Sequence, residues 1–298
     1  MTQSLQPGLA DAVDSLSPAN EQWLEATPAS IEAIDSHAHV FVRGLPLASH
    51  RRHAPDYDAT LDAYASHLRA KGLSHAVLVQ PSFLGTDNAF FLDVLLRYPR
   101  RFRGVAVIDP SISDSELQRL AASGVVGMRL NLIGLALPDL RAAQWRDLFA
   151  RINALGWHVE IHRDAVDLPM LVTPLVEQDC TVVIDHFGRP DPEFGANDPG
   201  FRYLLTTAKS GRVWVKLSAA YRCVIGESGV SLGTTLTESL LDSFGAARLV
   251  WGSDWPHTQH RSVIDYDASR DALARWIPDA SLRTIVLRDS PRALFGFA

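Results

Sequence analysis

His37 and His39 stand at the end of a short apolar run and are separated only by Ala38. In an extended strand, side chains two positions apart project from the same face, so both imidazoles are expected to point in one direction. An imidazole can bind a divalent metal or exchange a proton near neutral pH. This spacing therefore predicts a polar site at the carboxyl end of a strand.

Two later segments have the same design. One apolar run ends at Asp185 and His186, and another ends at Asp254, between a Gly-Ser pair and a Trp-Pro pair. A carboxylate in a partly apolar pocket is expected to have a raised pKa. Asp254 is therefore predicted to act as a general base near neutral pH.

Together these residues supply imidazoles and a carboxylate, and two kinds of chemistry use such a set. A catalytic zinc ion prefers these ligands, which here would be His37, His39, His162 and Asp254. His186 would then orient or protonate the substrate. Without a metal, Asp254 would activate water while histidines donate hydrogen bonds to a carbonyl oxygen that becomes an oxyanion. The residue pattern alone does not choose between the two mechanisms.

Basic side chains near the same strand ends indicate the charge of the substrate. Arg129 ends one strand candidate and Arg222 follows another, so both guanidiniums are predicted to hold a carboxylate. The loop after the first strand adds Arg43, Arg51, Arg52 and His53. A locally basic rim on an acidic protein predicts a small anionic substrate. The predicted substrate-binding residues are Arg129, Arg222, His162, His53 and Asn131.

Apolar runs rich in Val, Ile and Leu recur along the chain and alternate with segments of helical period. The strand candidates are residues 32–39, 75–80, 103–108, 125–131, 157–162, 181–186, 213–218 and 247–253. The helical segments are residues 60–71, 88–98, 113–122, 141–155, 168–178 and 236–244. Left-handed residues are predicted to end four of these helices, at Gly72, Gly124, Gly156 and Gly245.

Repeated βα units predict an α/β protein with a single (β/α)8 TIM barrel over residues 31–298, preceded by a short N-terminal extension over residues 1–30. A doubly wound sheet fits less well, because no Gly-x-Gly-x-x-Gly turn follows any strand. In a parallel barrel the carboxyl ends of the strands meet at one rim. The barrel would thus bring histidines, arginines and Asp254 around one cavity.

Composition excludes several other classes of protein. The chain of 298 residues is 47% hydrophobic and 21% charged, which is typical of a globular protein with a large core. A net charge of −6 argues against nucleic acid as a partner, because binding phosphates needs a basic face. We also expect no membrane span, no signal peptide, free thiols at Cys180 and Cys223, a cytoplasmic location, and a monomer or homodimer.

Taken together, the motifs resemble those of the amidohydrolase superfamily, in particular the amidohydrolase-2 group. The resemblance runs from about residue 34 to residue 296 and is specific for the group. It is carried by the sequences DSHAH at 35–39, IDHFGRP at 184–190, VKLS at 215–218, WGSDWPH at 251–257 and ALFG at 293–296.

The resemblance implies hydrolysis of the ester bond of a small carboxylated lactone, of the pyrone-dicarboxylate or muconolactone kind, in aromatic catabolism. On that model Asp254 activates water, and His37, His39 and His186 polarise the ring carbonyl. The two arginines at 129 and 222 would hold a carboxylate. The nearest branch of the family works without a metal, so the resemblance implies no cofactor.

Two departures from the pattern keep other functions open. The segment 130–135 carries no second arginine, and His162 restores the metal-ligand set of the wider superfamily. One divalent zinc ion is therefore the alternative cofactor. The alternative functions are a zinc-dependent decarboxylase or hydrolase of another small acid, and a non-catalytic protein that binds a small acid.

Overall fold

A computed structural model describes residues 15–298 of the chain, and its centre is a parallel sheet of eight strands in sequential order. The strands are β1 (Ile34–Ala38), β2 (His75–Val79), β3 (Phe102–Ala106), β4 (Val125–Asn131), β5 (His158–His162), β6 (Thr181–Ile184), β7 (Val213–Leu217) and β8 (Leu249–Trp251). A parallel bridge between Ala38 and Trp255 joins the first strand to the segment after the last. The predicted TIM barrel is confirmed.

A helix follows each strand, as the alternating pattern predicts. The helices are α1 (Pro18–Glu25), α2 (Leu61–Ala70), α3 (Ala89–Arg97), α4 (Asp114–Ala122), α5 (Ala143–Ala154), α6 (Leu168–Glu177), α7 (Pro199–Thr206), α8 (Glu227–Phe244), α9 (Tyr266–Trp276), α10 (Ala280–Thr284) and α11 (Ser290–Phe295). Positive φ angles follow four of them, as predicted, at Gly72, Gly124, Gly156 and Gly245.

The helix predicted over residues 236–244 is much longer, because α8 begins at Glu227. Two glycines in its first half masked the helical pattern, since glycine weakens a helix interior. The tertiary structure explains both of them. A Cβ atom on Gly229 would lie 2.2 Å from the carbonyl oxygen of Val224, and one on Gly233 would lie 2.4 Å from Nε1 of Trp276.

The N-terminal extension contains the short helix α1, and residues 1–14 of that predicted segment lie outside the described part. Arg101 holds α1 against the barrel by donating hydrogen bonds to the carbonyl oxygens of Trp23 and Ala26, at 2.6 and 3.1 Å. Neither cysteine forms a disulfide, in agreement with the prediction. Within residues 15–298, no helix combines the length and the apolar character needed to cross a bilayer.

The interior of the barrel changes from apolar to polar along strand β5. His158 packs against Phe295 near the amino-terminal end, where a small apolar cluster fills the barrel. Glu160, two residues later, is fully buried among cations, and His162 lines the cavity at the carboxyl end. The strand period of two residues therefore places one side chain in each of three layers.

Candidate active site

A cavity of about 190 Å³ opens at the carboxyl ends of the strands. Most of the predicted site residues line it, namely His39, His53, Arg129, Asn131, His162, His186, Arg222 and Asp254. His37 lies beneath them and is completely buried. The barrel therefore brings the predicted residues together, although they come from six different strand ends and loops.

The two carboxylate oxygens of Asp254 have different surroundings. Oδ2 accepts hydrogen bonds from Nε of Arg222 at 2.7 Å and from the hydroxyl of Tyr221. Oδ1 is buried and has no hydrogen-bond partner among the described residues. Oδ1 is therefore the free acceptor that faces the histidines. Its nearest imidazole Nε2 atoms are those of His37 at 3.7 Å, His39 at 3.8 Å and His186 at 3.8 Å.

The expected raised pKa of Asp254 is wrong. Burial raises the pKa of this carboxyl, but the Arg222 guanidinium and the surrounding imidazoles outweigh burial and hold it well below its usual range. The neighbours of Asp254 in the sequence suggest apolar surroundings. They do not reveal Arg222, which contacts Asp254 from another loop. Asp254 is therefore ionised at neutral pH, and it is ready to accept a proton without first losing one.

Hydrogen bonds fix the positions of the protons on His39 and His37. Nδ1 of His39 lies 2.7 Å from the carbonyl oxygen of Val79, which only accepts, so His39 carries its proton on Nδ1. Nδ1 of His37 lies 3.0 Å from Nζ of Lys216, which only donates, so neutral His37 carries its proton on Nε2. The two Nε2 atoms are 3.2 Å apart, so His37 donates to His39. In this arrangement both ring nitrogens of His39 are engaged, because its one lone pair, on Nε2, accepts from His37.

His162 offers an N–H group to the cavity, and His186 can offer one when the Ser218 hydroxyl donates to it. Nδ1 of His162 accepts from Nη2 of Arg129 at 3.2 Å, which leaves the proton of the neutral ring on Nε2. Nδ1 of His186 lies 2.8 Å from the Ser218 hydroxyl, which can donate to it. Both Nε2 atoms are buried without a partner in the described residues. These are the groups that can bind a carbonyl oxygen of a substrate.

A buried cluster of charged residues lies under the histidines. Nζ of Lys216 donates hydrogen bonds to Glu160 and to Nδ1 of His37 at 3.0 Å, and it forms an ion pair with Asp185 at 3.2 Å. Arg129 lies 3.1 Å from Glu160 and 2.8 Å from Asp185. The cluster thus balances two cations against two carboxylates. Such a balance lets charged groups remain buried and holds His37 in place from below.

Glu160 was not among the predicted site residues. Its signal in the sequence is the alternation that also contains His158 and His162, which places all three side chains on one face of β5. Burial and the Asp185 carboxylate raise the pKa of Glu160, while Lys216 and Arg129 lower it, with a net value of about 7. For Asp185, the same two cations outweigh burial and hold its pKa well below the usual range.

Some of the predicted arginines line the cavity, and others lie outside it. Arg129 and Arg222 line the cavity, but each guanidinium is already paired with a carboxylate of the protein. Arg52 also lines the cavity. Arg43 instead pairs with Asp58 at 3.0 Å, and Arg51 donates to the carbonyl oxygen of Ala48 in its own loop.

Left-handed residues that are not glycine cluster in the loops around the site. Positive φ angles occur at His186, Ala219 and Asp254, which follow strands β6, β7 and β8. Such a backbone conformation is strained for residues other than glycine, and strain of this kind is concentrated at functional sites. The left-handed conformation turns the chain in each of these loops immediately after the strand. Sequence reasoning missed several functional residues, among them Arg189 and His260, which line the cavity, and Tyr221, which contacts Asp254 and His257.

Two groups of ligand atoms in the described residues fit a divalent cation. One consists of His37, His39 and Asp254, and the other of His37, Asp185 and His186, with their ligand atoms within 4.8 Å of one another. The unpartnered Oδ1 of Asp254 suits the first group, whereas the Nε2 lone pair of His39 would first have to give up the hydrogen bond from His37. His162, predicted as a fourth ligand, belongs to neither group. A cation in the first group would supply an activated water molecule at neutral pH.

We predict that the protein loses stability as the pH falls. Burial, reinforced by nearby cations, lowers the pKa of His37 and His39 to about 3 from 6.5. The unfolded chain therefore binds protons between these values that the folded chain does not, so the contribution of these two histidines to stability is full above pH 6.5 and is lost as the pH drops towards 3. The raised pKa of Glu160 acts in the opposite direction, between pH 4.5 and about 7, but it is a single group with a smaller shift. Melting temperatures measured between neutral and acidic pH should show this decline. A melting temperature that rises with acidity would contradict it.

Comparison with known proteins places the fold and the site in a family. Residues 34–297 match the amidohydrolase family model. The chain belongs to the amidohydrolase family. This finding confirms the resemblance that the sequence motifs carry, and the TIM barrel agrees with it.

Individual relatives are similar over most of their length. A 2-pyrone-4,6-dicarboxylate hydrolase from Comamonas testosteroni is 33% identical, over 88% of this chain and 90% of the relative. A 4-sulfomuconolactone hydrolase from Rhizobium radiobacter is 31% identical, over 89% and 90%. A solved structure from Acinetobacter baumannii, described as a probable 2-pyrone-4,6-dicarboxylic acid hydrolase with citric acid bound, has a TM-score of 0.86 and 39% identity, and covers 89% of this chain and 100% of that one.

Proposed function

We propose that this amidohydrolase opens a small carboxylated lactone by hydrolysis of its ester bond. The observation that carries the proposal is the free Oδ1 of Asp254, which shares one cavity with the N–H groups of His162 and His186. An ionised acceptor beside two donors is what the addition of water to a carbonyl requires. The relatives named as lactone hydrolases support the same reaction.

In the first step, water loses a proton to Oδ1 of Asp254 while its oxygen bonds to the lactone carbonyl carbon. The carbonyl oxygen becomes an oxyanion, and Nε2–H groups of His162 and His186 stabilise it. His39 has no free N–H group, because its Nδ1–H donates to Val79 and its Nε2 accepts from His37, and we therefore assign it to positioning His37 rather than to polarising the carbonyl. This role differs from the one that the family resemblance implies for His39.

In the second step, the carbonyl re-forms and the bond between that carbon and the ring oxygen breaks. For a 2-pyrone, the ring oxygen leaves as an enolate, which takes up the proton held by Asp254 and converts to a ketone. The product is an open keto acid, and the enol-to-ketone conversion draws the reaction forward. The overall reaction consumes one water molecule and cleaves one ester bond.

Positive charge around the cavity supports a carboxylated substrate. The guanidiniums of Arg52, Arg129, Arg189 and Arg222 line it, whereas Asp254 is the one carboxylate among its lining residues in the described chain. A cavity of this charge attracts and holds a small anion. The named substrates of the two lactone hydrolase relatives are anions, and the Acinetobacter baumannii structure binds citric acid.

We further propose that the reaction needs no metal. The support is the contact of Lys216 with Nδ1 of His37, because it places the His37 proton on the nitrogen that would have to bind a cation. Zinc held by His37, His39 and Asp254 is the alternative. Binding it would require His37 to shift its proton to Nδ1, where Asp185 lies 3.4 Å away.

The test is a screen of carboxylated lactones with purified protein, with and without a chelator, together with elemental analysis. We expect ring opening, followed as loss of lactone and appearance of keto acid, at an unchanged rate after chelation. Activity that chelation abolishes and zinc restores would reject the metal-free mechanism. Release of carbon dioxide without ring opening would instead reject the lactone hydrolase and identify a decarboxylase.

A further inference from the structure

The side chain of Arg52 crosses from the loop after β1 to the loop after β4 at the mouth of the cavity. Its Nη2 donates to Oδ1 of Asn131 at 3.2 Å. A Cβ atom on Gly134 would lie 3.5 Å from Cδ of Arg52, so the aliphatic part of the side chain rests on that second loop. These contacts hold the guanidinium at the cavity although it comes from a different strand.

Arg52 differs from the other cavity arginines in its pairing. Arg129 pairs with Asp185, Arg222 with Asp254, and Arg189 with Asp164, at 2.8, 2.7 and 2.8 Å. For Arg52, no carboxylate lies within ion-pair distance in residues 15–298. No carboxylate of this described range therefore neutralises its charge.

The electrostatic surroundings of Arg52 favour an anion. Burial and then the charges of Arg129, Arg189 and Arg222 lower its pKa, whereas Asp164, which raises it, is engaged by Arg189. A guanidinium that is repelled by its neighbours is stabilised when an anion binds beside it. Its planar donors match both oxygens of a carboxylate.

We propose that Arg52 and Asn131 form a subsite for a carboxylate of the substrate, separate from the residues that carry out the ester hydrolysis. The proposal rests on the proposed function, since the subsite would bind a second carboxylate of a dicarboxylated lactone. Asn131 accepts from Arg52 through Oδ1 and keeps its amide N–H groups to donate to the anion. The cation of this subsite thus comes from the loop after β1, and its amide comes from the end of β4.

The test compares Arg52→Gln with Arg51→Gln, because Arg51 has the same side chain and the same loop but donates to the Ala48 carbonyl oxygen. The substrates are two 2-pyrones, one with two carboxylates and one with a single carboxylate. For Arg52→Gln we expect KM to rise about 10- to 100-fold on the dicarboxylate, the usual effect of losing a hydrogen bond to a charged group. We expect a much smaller change on the monocarboxylate, and Arg51→Gln should resemble the unmodified protein on both.

Binding of citrate, measured by calorimetry, tests the subsite without catalysis. Citrate should bind the unmodified protein and Arg51→Gln equally, and Arg52→Gln at least several-fold more weakly. Equal citrate affinity in all three proteins, or an equal rise of KM on both pyrones, would overturn the subsite. If the unmodified protein binds citrate but opens neither pyrone, the proposed function fails while the citrate comparison still decides on Arg52.

Discussion

Asp254→Asn should lower kcat by about 10²- to 10⁴-fold on any lactone that the protein opens, the usual contribution of a general base. The substitution keeps the shape of the side chain, but an amide is not basic enough to take a proton from water. The measurement is kcat at saturating substrate, at a temperature where the variant is folded. Turnover close to that of the unmodified protein would reject Asp254 as the base.

Stability must be measured alongside, because Asp254 also neutralises the largely buried Arg222. Removing the charge leaves this guanidinium without its partner, and we expect a lower melting temperature as well. Asp58→Asn is the matched control, because it makes the same chemical change in an ion pair with Arg43 away from the cavity. Its kcat should be unchanged.

Lys216→Met should reduce the free energy of unfolding by about 3–5 kcal/mol, the usual cost of breaking a buried ion pair from one side. The variant leaves Glu160 and Asp185 fully buried with Arg129 as their remaining cation. Urea unfolding monitored by circular dichroism measures the change. Lys209→Met, on an exposed lysine, should change stability by less than about 0.5 kcal/mol.

A double variant separates charge balance from packing. Lys216→Met combined with Glu160→Gln removes one cation and one anion, so Arg129 and Asp185 remain as a balanced pair. The double variant should recover part of the stability lost in Lys216→Met, since the two positions interact directly. Glu160→Gln could instead lower the free energy of unfolding of Lys216→Met by as much as it lowers that of the unmodified protein. The two effects would then be independent, and charge balance would not hold the cluster together.

The local sequence predicts the elements of this fold well. Alternating apolar residues place β5, and the glycines after four helices adopt the predicted positive φ angles, because both depend on the backbone and on neighbours a few residues away. Prediction failed at the start of α8. There Gly229 and Gly233 are required by contacts with Val224 and Trp276, which local periodicity does not reveal.

The sequence also predicts which strand ends carry the site, since a parallel barrel gathers them at one rim. It does not predict how the side chains are paired. Glu160 and Lys216 are 56 residues apart, and Tyr221 reaches Asp254 over 33 residues, so neither contact leaves a local pattern.

The sequence by itself determined the βα order, the family and the types of residue available for chemistry. The tertiary structure decided the charge of Asp254 and the proton positions on His37 and His39. It also decided which of the cavity arginines has no carboxylate partner in the described residues. The physical reason is that secondary structure follows from local backbone and side-chain preferences, whereas pKa values and hydrogen bonds depend on atoms that are close in space. In a barrel those atoms come from distant parts of the chain.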